Sequence, residues 1–185
     1  MAEQNTKPIR TALIGCGKVG HTHAGAYLKL PQSELVAVCD NNLQRAKEFG
    51  AQYDAQAFTD VDDMLERARP QLVSICTPHP VHAQAIFAVA EKNIHVLVEK
   101  PLAPDLGDCD RAISACRKND VLLGVISQRR FYRPIVRMRQ ALHSGKIGEP
   151  ILSTLVVMGW RSPEYYQMDP WRGKWDTEGG GVLVK

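Results

Sequence analysis

The chain has 185 residues and a formal net charge of +3, and 44% of its residues are hydrophobic, 23% charged and 6% aromatic. This composition excludes an intrinsically disordered chain, a collagen-like repeat and a disulfide-stabilised scaffold. At this length we expect one complete domain and part of a second.

Short β-branched runs alternate with amphipathic helical stretches from residue 9 to residue 127. Strands are predicted at 9–15, 34–39, 56–58, 71–76, 94–99 and 121–127. Helices are predicted at 19–30, 43–49, 61–69, 81–92 and 106–118. The strands are near-continuous apolar runs, as in parallel sheets that helices cover on both faces. The sequence therefore predicts an α/β fold, a doubly wound parallel Rossmann sheet, over residues 1–128.

The pattern changes after residue 128. A helix is predicted at 134–143 and a longer strand at 151–160, followed by a loop rich in Pro, Gly, Tyr and Trp. One strand cannot bury both faces of a sheet, and an isolated strand leaves its backbone groups unpaired. Residues 129–185 therefore predict the start of a second, incomplete α+β domain.

Cysteine spacing and the lengths of apolar runs indicate the compartment. Five cysteines occur, an odd number with no CxxC pair, which favours reduced thiols over a disulfide framework or a zinc site. The N-terminus lacks the features of a signal peptide, and no run approaches the roughly 18 apolar residues of a membrane span. We therefore expect a cytoplasmic protein with no membrane partner.

The basic excess lies in one segment. Six basic residues and no acidic residue lie between Arg129 and Gly148. Nucleic-acid recognition would require stacking aromatic residues or a known module beside them, and only Phe131 and Tyr132 are near. The pattern favours a solvated helix face or a small-anion pocket, and we expect no nucleic-acid partner.

A GxGxxG motif, Gly15-Cys16-Gly17-Lys18-Val19-Gly20, lies between the first predicted strand and the first predicted helix. In this context its glycines permit a tight turn, a close approach of pyrophosphate and close packing of the helix on the strand. A glycine turn without a ligand is the alternative that this context disfavours.

Asp40 directly follows the next predicted strand, 20 residues after Gly20. A carboxylate there accepts hydrogen bonds from the ribose hydroxyls and repels a 2′-phosphate. The sequence therefore predicts NAD as the cofactor in preference to NADP. Arg45, one helical turn further along, could weaken that preference.

Two further predicted strands end at the carboxyl edge of the sheet, where a bound dinucleotide would lie. The fourth leads into Cys76-Thr77-Pro78-His79-Pro80-Val81-His82 and the fifth into Glu99-Lys100-Pro101. Lys100 is either a catalytic or substrate-orienting group or a surface lysine at a helix start, and the sequence leaves both interpretations open. His21 and His23 point to different faces of a helix, and the later histidines lack a third ligand, so no metal site is predicted.

Seven sequence blocks together carry a family resemblance. They are ALIGCGKVGHTHAGAY (12–27), VCD (38–40), CTPHPVHAQAI (76–86), HVLVEKPLA (95–103), GVISQRRFYRP (124–134), SGKIGEP (144–150) and WRGKWDTEGGGVLV (171–184). In this order they resemble the glucose–fructose oxidoreductase, inositol dehydrogenase and rhizopine-catabolism (Gfo/Idh/MocA) family. The resemblance implies a two-domain oxidoreductase that transfers hydride between a nicotinamide ring and a sugar, inositol or related polyol. It also implies a homo-oligomer in the full-length form.

The resemblance implies a cofactor role for each matching residue. The glycine motif, Gly15 to Gly20, would hold the pyrophosphate, and Asp40 with Asn41 would hold the adenosine ribose. Four residues of the loop after the fourth strand would lie along the dinucleotide: Cys76, Thr77, His79 and His82.

The remaining matches lie toward the nicotinamide end. Glu99 would contact the nicotinamide ribose, and Lys100, the lysine of the EKP motif, would touch the cofactor and the reacting hydroxyl. Gln128 would lie near the nicotinamide or the substrate. Trp171 and Arg172 match a WR pair that in some family members reaches the cofactor.

The sequence departs from the family pattern at its end. In the family, the GGG-V-L-V segment continues into Asn or Asp and then into an acid/base histidine. Lys185 stands at the Asn or Asp position, and the histidine is absent. We therefore expect a dehydrogenase fragment that binds NAD without turnover. The alternative is a non-catalytic dinucleotide-binding regulatory module, because the family also includes a transcriptional regulator.

Overall fold

The computed structural model describes residues 7–178. Six parallel strands form one sheet in the order β3-β2-β1-β4-β5-β6, which confirms the predicted doubly wound Rossmann sheet. The strands are β1 (Ile9–Ile14), β2 (Ser33–Cys39), β3 (Gln56–Phe58), β4 (Leu72–Ile75), β5 (His95–Val98) and β6 (Leu123–Val125). The strand order reverses between β1 and β4, so a crevice lies outside the carboxyl ends of these two strands.

Helices connect the strands and continue beyond them. They are α1 (Lys18–Tyr27), α2 (Leu43–Tyr53), α3 (Val61–Ala68), α4 (His82–Glu91), α5 (Leu106–Lys118), α6 (Arg133–His143), α7 (Pro163–Gln167) and α8 (Trp175–Glu178). Short 3-10 helices lie at His79–Val81 and Gln128–Phe131. Side chains of Asn42, Asp60 and Asp105 cap α2, α3 and α5 by accepting a backbone hydrogen bond at 2.8–3.0 Å. These caps explain where the three helices begin.

The sheet is covered on both faces by apolar side chains. Ile14 of β1 and Val73 of β4 belong to one core cluster. Leu13 packs with Val38 and Phe49 in a second cluster. Successive side chains of β1 enter different clusters because side chains alternate between the faces of a strand. Burial on both faces explains the continuous apolar runs of the strands.

Residues 151–160 do not form the predicted strand. No strand pairs with them within residues 7–178, and extended backbone without a partner lacks the hydrogen bonds of a sheet. Their apolar side chains face solvent, and Ile151 and Met158 are 100% and 95% exposed. The strand prediction was wrong because β-propensity alone does not supply a neighbouring strand. The domain limits, residues 1–128 and 129–185, stay predictions.

The described part of the chain holds no helix long and apolar enough to cross a membrane. All five cysteines are free thiols. Burial raises the pKa of Cys16 to about 12 and that of Cys39 to about 11, so both are packing residues rather than nucleophiles. Between residues 7 and 178, no group of three or more His, Cys, Asp or Glu residues could hold a metal ion.

Candidate dinucleotide-binding site

The turn between β1 and α1 passes close to the end of β4. Gly15 has a φ of +100°, and a Cβ at this position would lie 2.7 Å from the carbonyl carbon of Cys76. A Cβ on Gly20 would lie 2.5 Å from the carbonyl oxygen of Gly15. Because both contacts are to backbone atoms, glycine is required at both positions.

Gly17 lies in different surroundings. A Cβ on Gly17 would have no atom of the described residues within 4 Å, and its φ of −84° suits any residue. The N-terminus of α1 beside it has no side-chain cap and no acidic residue in its first turn, where Lys18 and Val19 are exposed. Backbone N–H groups at such a terminus bind anionic groups. The turn therefore fits a pyrophosphate.

Asp40 follows β2 and is buried beside the glycine turn. Its Oδ2 accepts a hydrogen bond from the Cys16 amide at 2.9 Å, and its Oδ1 accepts one from the Asn42 amide at 2.9 Å. Nη1 of Arg45, a half-exposed side chain, lies 3.4 Å from Oδ2. Asn41 is exposed next to Asp40. The carboxylate is thus fixed against the turn and partly neutralised by one arginine.

The loop after β4 contains a hydroxyl without a partner. Cys76 and Thr77 begin this loop, and Oγ1 of Thr77 is buried with no hydrogen-bond partner among the described residues. A buried hydroxyl left unpaired destabilises a fold, so this position indicates a polar ligand atom.

His82, at the start of α4, joins the loops that follow β4 and β5. Its Nε2 lies 2.9 Å from the carbonyl oxygen of Thr77, and its Nδ1 lies 2.8 Å from that of Pro101. Burial lowers the pKa of His82, although both carbonyls and the Glu99 charge act in the opposite direction. A neutral ring donates to only one of these two carbonyls, so His82 packs between the two loops with a hydrogen bond to one of them, rather than facing a ligand as a free imidazole.

Glu99 and Lys100 follow β5 at the same edge of the sheet. Oε1 of Glu99 lies 3.1 Å from Nε2 of His23, and Oε2 accepts a hydrogen bond from the Lys100 amide at 3.2 Å. Burial acts to raise the pKa of Glu99, but the hydrogen bond and charge of His23, together with Lys100, bring it below its usual value. The Lys100 side chain is exposed. An ionised carboxylate and an ammonium group therefore stand side by side at the crevice.

Trp171 packs edge-on against His79, with 4.7 Å between the ring centroids. Nε2 of His79 also lies 3.0 Å from the carbonyl oxygen of Glu178. The guanidinium of Arg172 stacks on Trp171 at 4.5 Å from the ring centroid. The structure thus brings the WR pair to the loop after β4. Gln128, by contrast, begins a 3-10 helix after β6 with its side chain exposed.

The sequence interpretation missed the buried groups behind Glu99. His23, Ser74 and Tyr27 are joined to one another by hydrogen bonds. Two signals could have indicated them: Ser74 is a polar residue inside the apolar strand β4, and His23 follows Gly20 by three positions on the buried side of α1.

Sequence comparisons place the chain among oxidoreductases. A family described as "Oxidoreductase family, NAD-binding Rossmann fold" matches residues 9–127. The chain is 31% identical over 143 residues to a myo-inositol 2-dehydrogenase of Thermotoga maritima, covering 77% of this chain and 43% of that protein. It is 32% identical over 165 residues to an uncharacterised oxidoreductase of Bacillus subtilis, covering 89% of this chain and 48% of that protein. The chain spans about half the length of the curated relatives it matches.

A solved structure shares the fold over almost the whole chain. It is the WlbA dehydrogenase of Bordetella pertussis in complex with NADH and UDP-GlcNAcA, with a TM-score of 0.91 at 32% identity. The match covers 96% of this chain and 51% of that one. The match of the family to residues 9–127 and the shared fold confirm the resemblance. The chain belongs to the Gfo/Idh/MocA oxidoreductases, a family with an NAD-binding Rossmann fold.

Proposed function

We propose that this chain is the cofactor-binding part of an NAD-dependent dehydrogenase that oxidises a hydroxyl of a sugar, inositol or related polyol. The convergence of four features at one edge of the sheet carries the proposal. These are the uncapped N-terminus of α1, the Asp40 carboxylate, the unpaired Thr77 hydroxyl and the Glu99–Lys100 pair. The Asp40 carboxylate suits the adenosine ribose, the N-terminus of α1 suits the pyrophosphate, and the Thr77 hydroxyl suits a polar atom further along the dinucleotide. The Glu99–Lys100 pair suits the nicotinamide ribose and the reacting hydroxyl of the substrate. Bound NAD supplies the hydride acceptor for such a reaction.

Lys100 is the residue that we assign to the reacting hydroxyl. Its backbone amide is held by Glu99 while its ammonium group is exposed, so the side chain can donate a hydrogen bond to a substrate oxygen. A well-placed general base contributes typically ~10²- to 10⁴-fold of rate, and an ammonium group alone does not supply one. Residues 151–160 are exposed and offer no wall that would hold a polyol against Lys100. We therefore expect these 185 residues to bind NAD(H) without measurable turnover.

A valine at Gly17 tests the pyrophosphate site. The open space around Gly17 and its ordinary φ allow the larger residue without strain in the free chain. Gly17→Val should therefore leave the thermal unfolding midpoint unchanged while abolishing NADH binding, measured by calorimetric titration. Tight NADH binding by Gly17→Val, or no binding by the parent chain, would contradict the proposal.

The same titration tests our proposal that NAD is preferred to NADP. A 2′-phosphate would lie beside the Asp40 carboxylate, which Arg45 only partly neutralises. NADH should bind more tightly than NADPH, and Arg45→Ala should widen the difference. Arg67→Ala is the matched control, because Arg67 is also an exposed arginine paired with an aspartate. A preference for NADPH in the parent chain would make Arg45, rather than Asp40, the determinant.

The substrate is best sought with the full-length protein. A hydride-transfer screen should include sugars, inositols and sugar acids, with Lys100→Ala as the inactive variant. Nucleotide-linked sugar acids belong in the screen because the WlbA dehydrogenase structure holds UDP-GlcNAcA and because exposed arginines follow β6 in this chain. NAD binding with no turnover on any substrate would favour the regulatory alternative.

We also propose a cytoplasmic location, which the free thiols support, and a homo-oligomer in the full-length form, which the exposed apolar side chains of 151–160 support.

A further inference from the structure

Glu99 is held from behind by a row of buried polar side chains. Nε2 of His23 lies 3.1 Å from Oε1 of Glu99, and Nδ1 of His23 lies 3.2 Å from Oγ of Ser74. Oγ of Ser74 in turn lies 2.5 Å from the hydroxyl of Tyr27. His23, Ser74 and Tyr27 are each less than one-tenth exposed. The row thus runs from the interior of the protein to the edge of the sheet.

The hydrogen-bonding capacities of these groups determine which atom donates. An ionised carboxylate only accepts, so Nε2 of His23 carries the proton that faces Glu99, whether the ring is neutral or charged. In a neutral ring Nδ1 then accepts from the Ser74 hydroxyl, and the Tyr27 hydroxyl donates to Ser74. Every polar atom of the row is satisfied in this arrangement. The neutral ring is therefore fixed as its Nε2–H tautomer.

We propose that His23 is a positioning residue, which holds the Glu99 carboxylate ionised and oriented to accept a hydrogen bond from the nicotinamide ribose. The inference rests on the proposed function, since it assumes that Glu99 faces the cofactor. His23 occupies one lone pair of Oε1, and the Lys100 amide occupies one of Oε2. Each oxygen keeps a second lone pair for a ligand hydroxyl. His23 itself is buried and acts only through Glu99.

The groups around Glu99 determine how ligand binding should depend on pH. The titratable or charged groups around it are His23 from α1, His82 from α4, Cys76 after β4 and the adjacent Lys100. Burial favours the protonated carboxyl, and His23 is the main group that opposes this effect. Without His23, Glu99 should take up a proton at a higher pH. A ligand that needs the carboxylate should then be lost at a higher pH as the solution is acidified.

Two substitutions at His23 test its hydrogen bond to Glu99 separately from its hydrogen bond to Ser74. The amide nitrogen of Gln reaches the position of Nε2, so His23→Gln keeps a donor to Glu99. The shorter Asn reaches only the position of Nδ1, so His23→Asn loses the contact to Glu99. His21→Asn is the matched control, because His21 lies on the same helix and contacts Phe49 and Tyr53 instead. The measurements are NADH titrations between pH 5 and pH 8 and thermal unfolding of each free chain.

His23→Asn should weaken NADH binding about tenfold at pH 7 and shift the acid limb of binding to higher pH. His23→Gln should bind within about threefold of the parent, with the parent's pH profile, as should the His21→Asn control. Parent-like affinity and pH profile in His23→Asn would overturn the inference. So would equal losses in His23→Gln and His23→Asn, because packing of the ring would then explain both.

If a variant does not fold, or if no chain binds NADH, a measurement on the unmodified chain tests the hydrogen bond between His23 and Glu99. Nitrogen NMR of labelled histidine should show a proton on Nε2 of His23 at pH 8. The Nδ1–H tautomer would overturn the inference. Absence of NADH binding in the parent chain, together with a proton on Nε2, would contradict the proposed function and not the hydrogen bond between His23 and Glu99.

Discussion

At the residue scale, we expect the Thr77 hydroxyl to affect folding stability and NADH binding in opposite directions. Its oxygen is buried without a partner in the described part of the chain, whereas the hydroxyl of the buried Thr11 donates to the carbonyl of Glu34 at 3.0 Å. An unpaired buried hydroxyl costs about 1–3 kcal/mol of stability. Thr77 therefore lowers the stability of the free chain unless a ligand atom pairs with it.

Replacing Thr77 with valine should have opposite effects on the two properties. Thr77→Val keeps the shape and removes the unpaired oxygen, so the unfolding midpoint should stay unchanged or rise, while NADH binding weakens about five- to tenfold. Thr11→Val is the control, since it removes a satisfied hydrogen bond and should lower the midpoint without changing affinity. Thermal melts and NADH titrations measure both. A Thr77→Val chain that binds NADH as tightly as the parent would place the hydroxyl outside the cofactor site.

At the element scale, local patterns predicted the order of strands and helices but not every boundary. The sequence predicted α2 to end at residue 49, yet the helix continues to Tyr53. A Cβ on Gly50 would lie 2.5 Å from the carbonyl oxygen of Ala55, so this glycine serves close packing rather than helix termination. The helix ends instead at Asp54, which has a φ of +52°.

The sequence likewise predicted only part of the candidate site. Asp40, Thr77 and Lys100 could be placed at one sheet edge from sequence, because each follows a strand and parallel strands end together. The pairing of His23 with Glu99 joins residues 76 positions apart. No local sequence pattern spans that separation, so the pairing is revealed only by the fold, which brings His23 of α1 to Glu99 after β5.

The His82 contact between two loops makes the fold sensitive to acid. Burial lowers the pKa of His82 in the folded chain, so the unfolded chain binds a proton more readily and stability is lost as the pH falls below about 6.5. Glu99 also makes the fold less stable in acid. Its pKa is lowered in the folded chain, so its contribution to folding stability is lost as the pH falls through that pKa. The unfolding midpoint should therefore decrease as the pH falls below about 6.5 because of His82, and decrease further below about 4.5 because of Glu99.

Circular dichroism melts across this range would measure the effect. His82→Gln should flatten the decrease between about pH 6.5 and pH 5, whereas His143→Gln, at an exposed position, should not. A midpoint that rises on acidification would show that the two carbonyls stabilise a charged His82 ring.

The exposed segment 151–158 should cause self-association. It combines β-propensity and apolar character with no charge, and Leu155 is 86% exposed. Sedimentation velocity should show association that increases with concentration, and Leu155→Lys should reduce it. Leu106→Lys is the control, because Leu106 is 82% exposed on α5, outside this segment. A monomeric parent chain at high concentration would contradict the prediction.

At the scale of the whole molecule, the reversal of strand order divides the site between two halves of the chain. Asp40 and the glycine turn belong to the half formed by β1, β2 and β3, and Thr77 and Glu99 belong to the half formed by β4, β5 and β6. A ligand that contacts both halves stabilises the complete sheet.

NADH should therefore raise the unfolding midpoint of the whole chain in one transition. At about 100 times the Kd, binding adds roughly 2.7 kcal/mol, which corresponds to a shift of several degrees for a chain of this size. Differential scanning fluorimetry measures the shift, and Gly17→Val should show none. An unchanged midpoint in the parent at saturating NADH would contradict binding to the folded state.

Asp40 couples the choice of cofactor to the shape of the glycine turn. Its two oxygens accept hydrogen bonds from the amides of Cys16 and Asn42, and Cys16 lies within the turn. A substitution that removes the charge to admit a 2′-phosphate leaves at most one acceptor oxygen, so either the Cys16 amide or the Asn42 amide loses its partner, and loss of the Cys16 contact disturbs the geometry that suits the pyrophosphate. Redesign of this protein for NADP should therefore keep Asp40 and Arg45 and add a second positive charge at the exposed Asn41 beside them.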